Sequence, residues 1–326
     1  MLFVTFHGGK PSNGVPKPVN NVYAYSDSGG DPVATAVLQG ADADLKDAEL
    51  RGMVVAYGGH LYVANGRKDA NQILRFTGSG TSYAFDDVFA SGPAIDSIFH
   101  PFALAFDGST YCYVSSQDTD VVTRLQVNDG NGQTGSAAPL PSGLPAGGTF
   151  FAGTFVACSV GQLPGLTPTT PVAQPQGLAV SIDSGKVDHS VRDVLLSGTL
   201  LYVCDEAAGL VKVYDMDGNW RYGSNAVPSP AHLLAYGGQL YLSGGDQVLF
   251  TPLNSFPMSF TPAPGVDGKG ASGMTFNGRG DHFFVADRKK NAVHRYDVSG
   301  DGTFSNKTTI ISDMPDNPEF LLYGAG

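Results

Sequence analysis

Apolar and polar residues alternate with period two through most of this chain, in short runs that come back in the same form. An apolar segment built around an aromatic and a β-branched residue occurs as LFVTF at Leu2, LYVAN at Leu61, YCYVSS at Tyr111, LYVCDE at Leu201, LYLSGG at Leu240 and FFVAD at Phe283. Its anchor aromatics are Phe3, Tyr62, Tyr113, Tyr202, Tyr241 and Phe284. Four copies are followed, after a polar turn, by a second alternating segment: QILRF at Gln72, VVTRLQV at Val121, LVKVYDM at Leu210 and AVHRYDV at Ala292. A third element with a small-residue turn precedes the anchor, as in LRGMVVAYGG at Leu50, HPFALAFDGS at His100, VRDVLLSG at Val191, AHLLAYGGQ at Ala231 and ASGMTFNGRG at Ala271. Each unit therefore predicts three adjacent antiparallel strands, with variable polar sequence where a fourth, outer strand fits.

The two ends of the chain complete one another. NPEFLLYGAG at Asn317 matches the first element of the unit, and the missing second element stands at Met1. Joining them predicts a composite blade from Pro318–Tyr323, Leu2–Phe6 and Asn21–Tyr25, which leaves a ring of blades without a free sheet edge. Successive anchors lie 59, 51, 89, 39 and 43 residues apart, with 45 across the joined ends. These spacings predict an all-β, six-bladed β-propeller formed by one domain over residues 1–326. The long interval holds a Pro/Gly-rich stretch from Pro139 to Pro175 and a further inner-strand pattern, QPQGLAV at Gln174. It reads as an insertion at about 130–175, with a degenerate seventh blade as the alternative.

Composition agrees with many short strands and tight turns: 43 Gly, 21 Pro and only 15% charged residues in 326. No apolar run reaches the length of a membrane helix, so the chain reads as soluble with no membrane partner. The net charge of -11, with no basic cluster longer than Arg288, Lys289 and Lys290, repels a phosphate backbone and argues against nucleic acid. MLFVTFHGG at the start turns polar too soon for a signal peptide and reads as a strand. Both a cytoplasmic location and an extracytoplasmic one after removal of a signal stay open. Cys112, Cys158 and Cys204 are too scattered for a disulfide framework or a zinc site and read as buried thiols.

An inner element followed by LYVAN or FFVAD, a polar turn and then ILRF or VHRYDV resembles the NHL repeat and the wider group of six-bladed propellers. That group includes strictosidine-synthase-like proteins, gluconolactonase-type lactonases and virginiamycin-B-lyase-type enzymes. The resemblance covers most of the chain as a repeat pattern and implies an architecture shared by hydrolases, lyases, condensing enzymes and protein-binding scaffolds.

The first strand of each blade in such a ring lines the central channel, and residues at its entrance converge on one face. Aligned inner elements place Arg51, Phe102, Gln176 or Arg192, His232, Ser272 and Glu319 at that entrance, with His100 on the same rim. Glu319 is the candidate general acid or base, with an Arg51 salt bridge as its structural alternative. His232 is the candidate second proton carrier, with a satisfied structural histidine as its alternative. The other positions are candidate substrate contacts. Lactonase-type relatives imply a divalent ion held by carboxylates and amides from several inner strands, where this chain aligns one acid, Glu319. The lyase type implies His and Glu around magnesium, which His232 and Glu319 supply. The condensing type implies a single channel glutamate without a cofactor.

Other motifs reduce to turns. DMDGN at Asp215 opens like a calcium loop but has its Gly too early and Ala226 where a closing Glu belongs. Arg279, Gly280 and Asp281 lie in a strand-joining turn, and Asn65, Asp205 and Asp287 follow anchor strands where short polar side chains bond nearby backbone. No nucleophile elbow, P-loop, zinc-protease helix or dinucleotide fingerprint occurs in a supporting context. The expected function is that of a monomeric propeller taking a small-molecule ligand at its axial funnel, as an enzyme of lyase, hydrolase or condensing type with Mg or Ca as a possible cofactor. The alternative is a non-catalytic scaffold binding a protein or peptide.

Overall fold

The computed structural model describes residues 1–11, 18–40, 45–95, 98–117, 121–138, 150–151, 190–218 and 220–324, with backbone alone at 150, 151 and 220. These residues form six small sheets, antiparallel except for the edge pairing of Leu38–Gln39 with Ser82–Ser91, numbered here as blades by their inner strands. The inner strands are Leu50–Ala56, Pro101–Phe106, Val191–Ser197, Pro230–Tyr236, Ala271–Phe276 and Pro318–Tyr323, each adjacent to the next around a closed ring. The anchor segments form the second strands: His60–Asn65, Tyr111–Ser116, Leu200–Asp205, Gln239–Gly244, His282–Asp287 and, in blade 6, Leu2–Phe6. Blade 6 is the composite one, with Leu2 opposite Tyr323 on one side and Tyr25 on the other. Its seam is reinforced by reciprocal bonds between Met1 and Gly324 and by Asp316, whose carboxylate accepts the amides of Gly8 and Val19.

Period-two alternation has a particular meaning here, because both faces of every second strand are buried. Leu61 and Val63 pack towards blade 6, in one cluster with Phe3, Leu50 and Met53, while Tyr62 and Ala64 pack towards blade 2 with Leu104 and Val114. The same division recurs around the ring: Tyr113 and Tyr202 meet blades 3 and 4, Tyr241 meets blade 5, Phe284 meets blade 6 and Phe3 meets blade 1. The hydrophobic core is thus a set of inter-blade layers, and each anchor aromatic fills one of them.

Blades 2 and 3 are direct neighbours despite the long interval between their anchors. Ser115 donates its hydroxyl to the Arg192 carbonyl across the boundary, and the two inner strands lie side by side. No place remains there for a seventh blade. The Pro139–Pro175 stretch and the pattern at Gln174 fall outside the described residues, apart from a short strand at 150–151 on the edge of blade 2. Cys112 and Cys204 are free, buried thiols. Asn65, Asp205 and Asp287 accept backbone amides of the turns that follow them, and Asp215 and Asn277 close their own turns. No helix among the described residues is long and apolar enough to cross a membrane.

Closure by the last strand gives a direct test. A chain ending at Asn317 should lose its cooperative thermal transition, since two inter-blade faces become exposed. The milder Leu321→Ala, at a buried position of that strand, should cost about 2–4 kcal/mol in urea unfolding.

Candidate functional site at the entrance of the channel

Each inner strand carries a β-bulge at the same level. Arg51–Gly52, Phe102–Ala103, Arg192–Asp193, Ala231–His232, Ser272–Gly273 and Glu319–Phe320 are pairs that each oppose a single residue of the second strand. Such a bulge re-aims side chains and ends the regular ladder. Small residues at the second position let neighbouring inner strands approach closely: a Cβ on Gly52 would sit 2.9 Å from Ala103 Cα. Asp193 uses that position to clamp blade 3 to blade 4, accepting the Val194 amide at 2.8 Å and the Leu233 amide at 2.7 Å.

Three rows of residues make up the entrance. The bulge supplies Arg51, Phe102, Arg192 and Glu319. Positions just before the inner strands supply Glu49 and His100, and positions just after the second strands supply His7, Gln117, Glu206 and Arg288. Gly66 belongs to the last row, and a Cβ there would stand 2.6 Å from the His100 ring.

The charges in this funnel are paired. Arg51 is buried, donates to the His7 carbonyl at 2.7 Å and meets Glu49 at 3.1 Å. His100 lies 3.6 Å from the same Glu49 oxygen. Arg192 binds Glu206 at 2.7 Å and the Gln117 amide oxygen at 2.8 Å, with its guanidinium 5.1 Å above the Phe102 ring. Glu319 is 2% exposed, and its ion-pair partner is Arg288 at 3.4 Å. The alternative Arg51–Glu319 salt bridge is not made as a direct contact: Glu49 meets Arg51 from one side and Arg288 meets Glu319 from the other, while Arg51 acts on Glu319 through its charge at longer range. Burial pushes the Glu319 carboxyl up, but Arg51, Arg288, His232 and His7 outweigh it and hold the group below the usual glutamate range. Glu319 is thus an ionised counter-charge at neutral pH and not a general acid.

His232 sits one residue deeper than sequence alignment placed it, at the second bulge position with Ala231 in the axial row. Its ring stands 5.3 Å from Phe102 and 4.8 Å from Phe320, so residues of three different blades plug the channel. Desolvation pulls its pKa down to about 3, which makes it a neutral packing residue in the plug. Ser272 gives its hydroxyl to the Pro318 carbonyl at 2.9 Å and joins blade 5 to blade 6. Gln176 lies outside the described residues.

A divalent cation does not fit this donor set. Among the described residues no three His, Cys, Asp or Glu side chains converge on one point, and Glu319 is already neutralised by two guanidinium groups. The residues missed from sequence are His7, Glu49, Asp193, Gln117, Glu206 and Arg288. Four of them share one repeat position, the first residue past the anchor strand, so comparing that column across the six units would have found them.

Beside the funnel a cleft of about 610 Å³ opens between blades 3 to 6, lined by Glu206, Ala231, Asp246, Arg288, Lys289 and Asn317 among others. Arg288, 40% exposed at its side chain, joins the cleft to the buried Glu319.

Fold and site define a six-bladed β-propeller with a plugged channel and a charge-paired entrance. No protein-family model matches the sequence, and no curated protein matches it. Among solved structures, the chain is similar to a protein from Lactobacillus plantarum at 14% identity and a TM-score of 0.54, covering 95% of this chain and 82% of that one. It is similar to the periplasmic gluconolactonase of Pseudomonas aeruginosa at 13% identity and 0.52, covering 100% and 99%. A chain of a nidogen/laminin complex matches at 11% identity and 0.54, covering 98% and 96%. At these identities the likeness is one of fold, and it bears out the β-propeller architecture to which the repeat pattern pointed.

The His232–Asp193 pair, 3.9 Å apart, yields a pH prediction. Burial raises Asp193 from 3.8 to about 7, while His232 falls from 6.5 to about 3. From about pH 4 to about pH 6.5 the pair holds one proton whether folded, on Asp193, or unfolded, on the histidine, and stability does not depend on it. In His232→Phe, the raised Asp193 acts alone, and stability should fall as pH rises towards 7. In Asp193→Asn, the depressed histidine acts alone, and stability should rise between about pH 3 and 6.5. The slopes, at most about 1.4 kcal/mol per pH unit, are measurable by urea unfolding across that range.

Proposed function

We propose that this chain binds a small polar molecule at the entrance cleft and acts on it by hydrolase-type chemistry without a metal. The observation that carries this reading is Arg288: a half-exposed guanidinium lining the cleft, held 3.4 Å from a buried, ionised carboxylate. A cation fixed in this way is oriented in advance towards a ligand carbonyl or carboxylate, and the Glu319 carboxylate behind it keeps it from swinging away.

His7 supplies the proton acceptor. It is exposed at the funnel rim, and desolvation followed by Arg51 lowers it below its ordinary value of 6.5, so the imidazole is neutral at pH 7. For a cyclic or open ester, His7 takes a proton from water while the oxygen adds to the carbonyl carbon. The oxyanion forms against Arg288, and collapse expels an alkoxide that takes the proton back from the imidazolium. The gluconolactonase among the structural neighbours makes sugar-acid lactones a reasonable first substrate set. The plug of Phe102, His232 and Phe320 favours a second reading, a scaffold that binds a protein across one face, since a filled channel needs no axial ligand.

Lactone opening followed by proton release separates the two. Wild-type protein should accelerate it over the spontaneous rate, with kcat/KM rising as pH increases through the His7 pKa. Arg288→Ala should lose at least tenfold in kcat/KM, and His7→Gln should flatten the pH profile. No acceleration with any lactone or simple ester would overturn the hydrolase reading and leave the scaffold.

A further inference from the structure

On the face opposite the funnel, blades 4 and 5 enclose a second cleft of about 490 Å³, a volume in the range of small-molecule sites. Its floor is aromatic. The Tyr236 ring stacks on Phe276 at 4.1 Å and 15°, and Phe276 in turn packs on Phe283 and Tyr241. Tyr236 is among the few large apolar side chains left exposed, at 38%. One of its faces is covered by Phe276, and its hydroxyl edge rests on the turn at Gly280, where a Cβ would collide with it. The other face is left for a ligand.

The walls carry acceptors. The turn Ser299–Thr303 is tied by Asp301, which takes the Ser299 hydroxyl at 2.5 Å and the Thr303 amide at 3.0 Å. Those donors, the hydroxyl first, pull Asp301 down to about 2, so it presents a full negative charge at the rim. Gln239 lines the same cleft with its side-chain carbonyl buried and without a hydrogen-bond partner. A buried acceptor left unsatisfied is costly, and a ligand donor would relieve it.

A flat apolar platform ringed by acceptors suits a ring with one C–H face and donating hydroxyls at its edge. The anionic rim and the net charge of -11 disfavour phosphates and sugar acids. The aromatic residues of the cleft pack on one another, Tyr236 on Phe276 and Phe276 on Tyr241, so they offer one platform and not a cage around an ammonium group. We propose that this cleft is a binding site for a neutral pyranose sugar, stacked on Tyr236 with its hydroxyls donated to Asp301 and Gln239. It is separate from the entrance cleft and does not depend on the reaction proposed there.

Saturation-transfer difference NMR with methyl glucoside, methyl galactoside and methyl mannoside tests this. At least one should receive saturation on its ring C–H protons from wild-type protein. Tyr236→Ala should abolish the transfer, and Asp301→Ala, at an exposed position whose loss leaves the blade core untouched, should weaken binding at least tenfold. Arg288→Ala, on the other face, should retain it. The proposal is overturned if none of the three sugars receives saturation, if the transfer survives both Tyr236→Ala and Asp301→Ala, or if Arg288→Ala removes it.

Discussion

Pairing of Leu2–Phe6 with Pro318–Tyr323 is the constraint on which the rest of this molecule depends. The apolar layers lie between blades and not within them, so a blade buries both faces only when it has a neighbour on each side. An open row of six would expose both faces of one layer at once, for example Phe3 on one side and Leu61 and Val63 on the other. Closing the ring with the two chain ends removes both exposed faces together. It also explains why alternation along the second strands carries apolar residues in both directions, with aliphatic side chains towards one blade and an aromatic towards the next.

Closure forces six inner strands to converge, and the bulge shared by all of them is how the backbone accommodates that crowding. Two residues replace one at the same level in each blade, so the first can turn to the axis while the second, often Gly or Ala, lets the adjacent strand come near. The funnel is a by-product of this packing. Its charges follow the same logic, since guanidinium groups as buried as Arg51 persist only beside carboxylates. Glu49 and Glu206 meet that need locally, and the Glu319–Arg288 pair presents its guanidinium to the cleft.

The architecture was legible because it is written in repetition: Tyr62, Tyr113, Tyr202, Tyr241 and Phe284 occupy one column and do one job. The composite blade was legible for the same reason, since an unfinished unit at Asn317 fitted an orphaned one at Met1. The site was only partly legible. A bulge is a feature of backbone pairing and leaves no mark in a period-two pattern, so His232 was placed one position too shallow, in line with Arg51, when Ala231 holds that row. Ser272 looked like a ligand contact because its carbonyl partner, Pro318, belongs to a strand more than forty residues away. His7 and Arg288 were hidden for a different reason: they lie in turns after the strands that defined the repeat, where attention to the strands themselves does not reach.

The plug made by Phe102, His232 and Phe320 decides how the two faces relate. A continuous channel would let one ligand, or one chain of water, connect the funnel with the opposite end. Three rings from blades 2, 4 and 6 meeting across the axis remove that route. The faces are then built from different parts of the repeat. The entrance takes the bulges and the turns after the second strands, where Arg, Glu and His converge. The far face takes the turns that end the inner and third strands, where tight Gly-containing turns lie against aromatic side chains such as Tyr236. Chemistry on one face is separated from binding on the other by a layer of rings in which His232, its pKa pulled down by burial, is neutral at pH 7. The repeat that closes the ring therefore also separates a polar, charge-paired surface from an aromatic one.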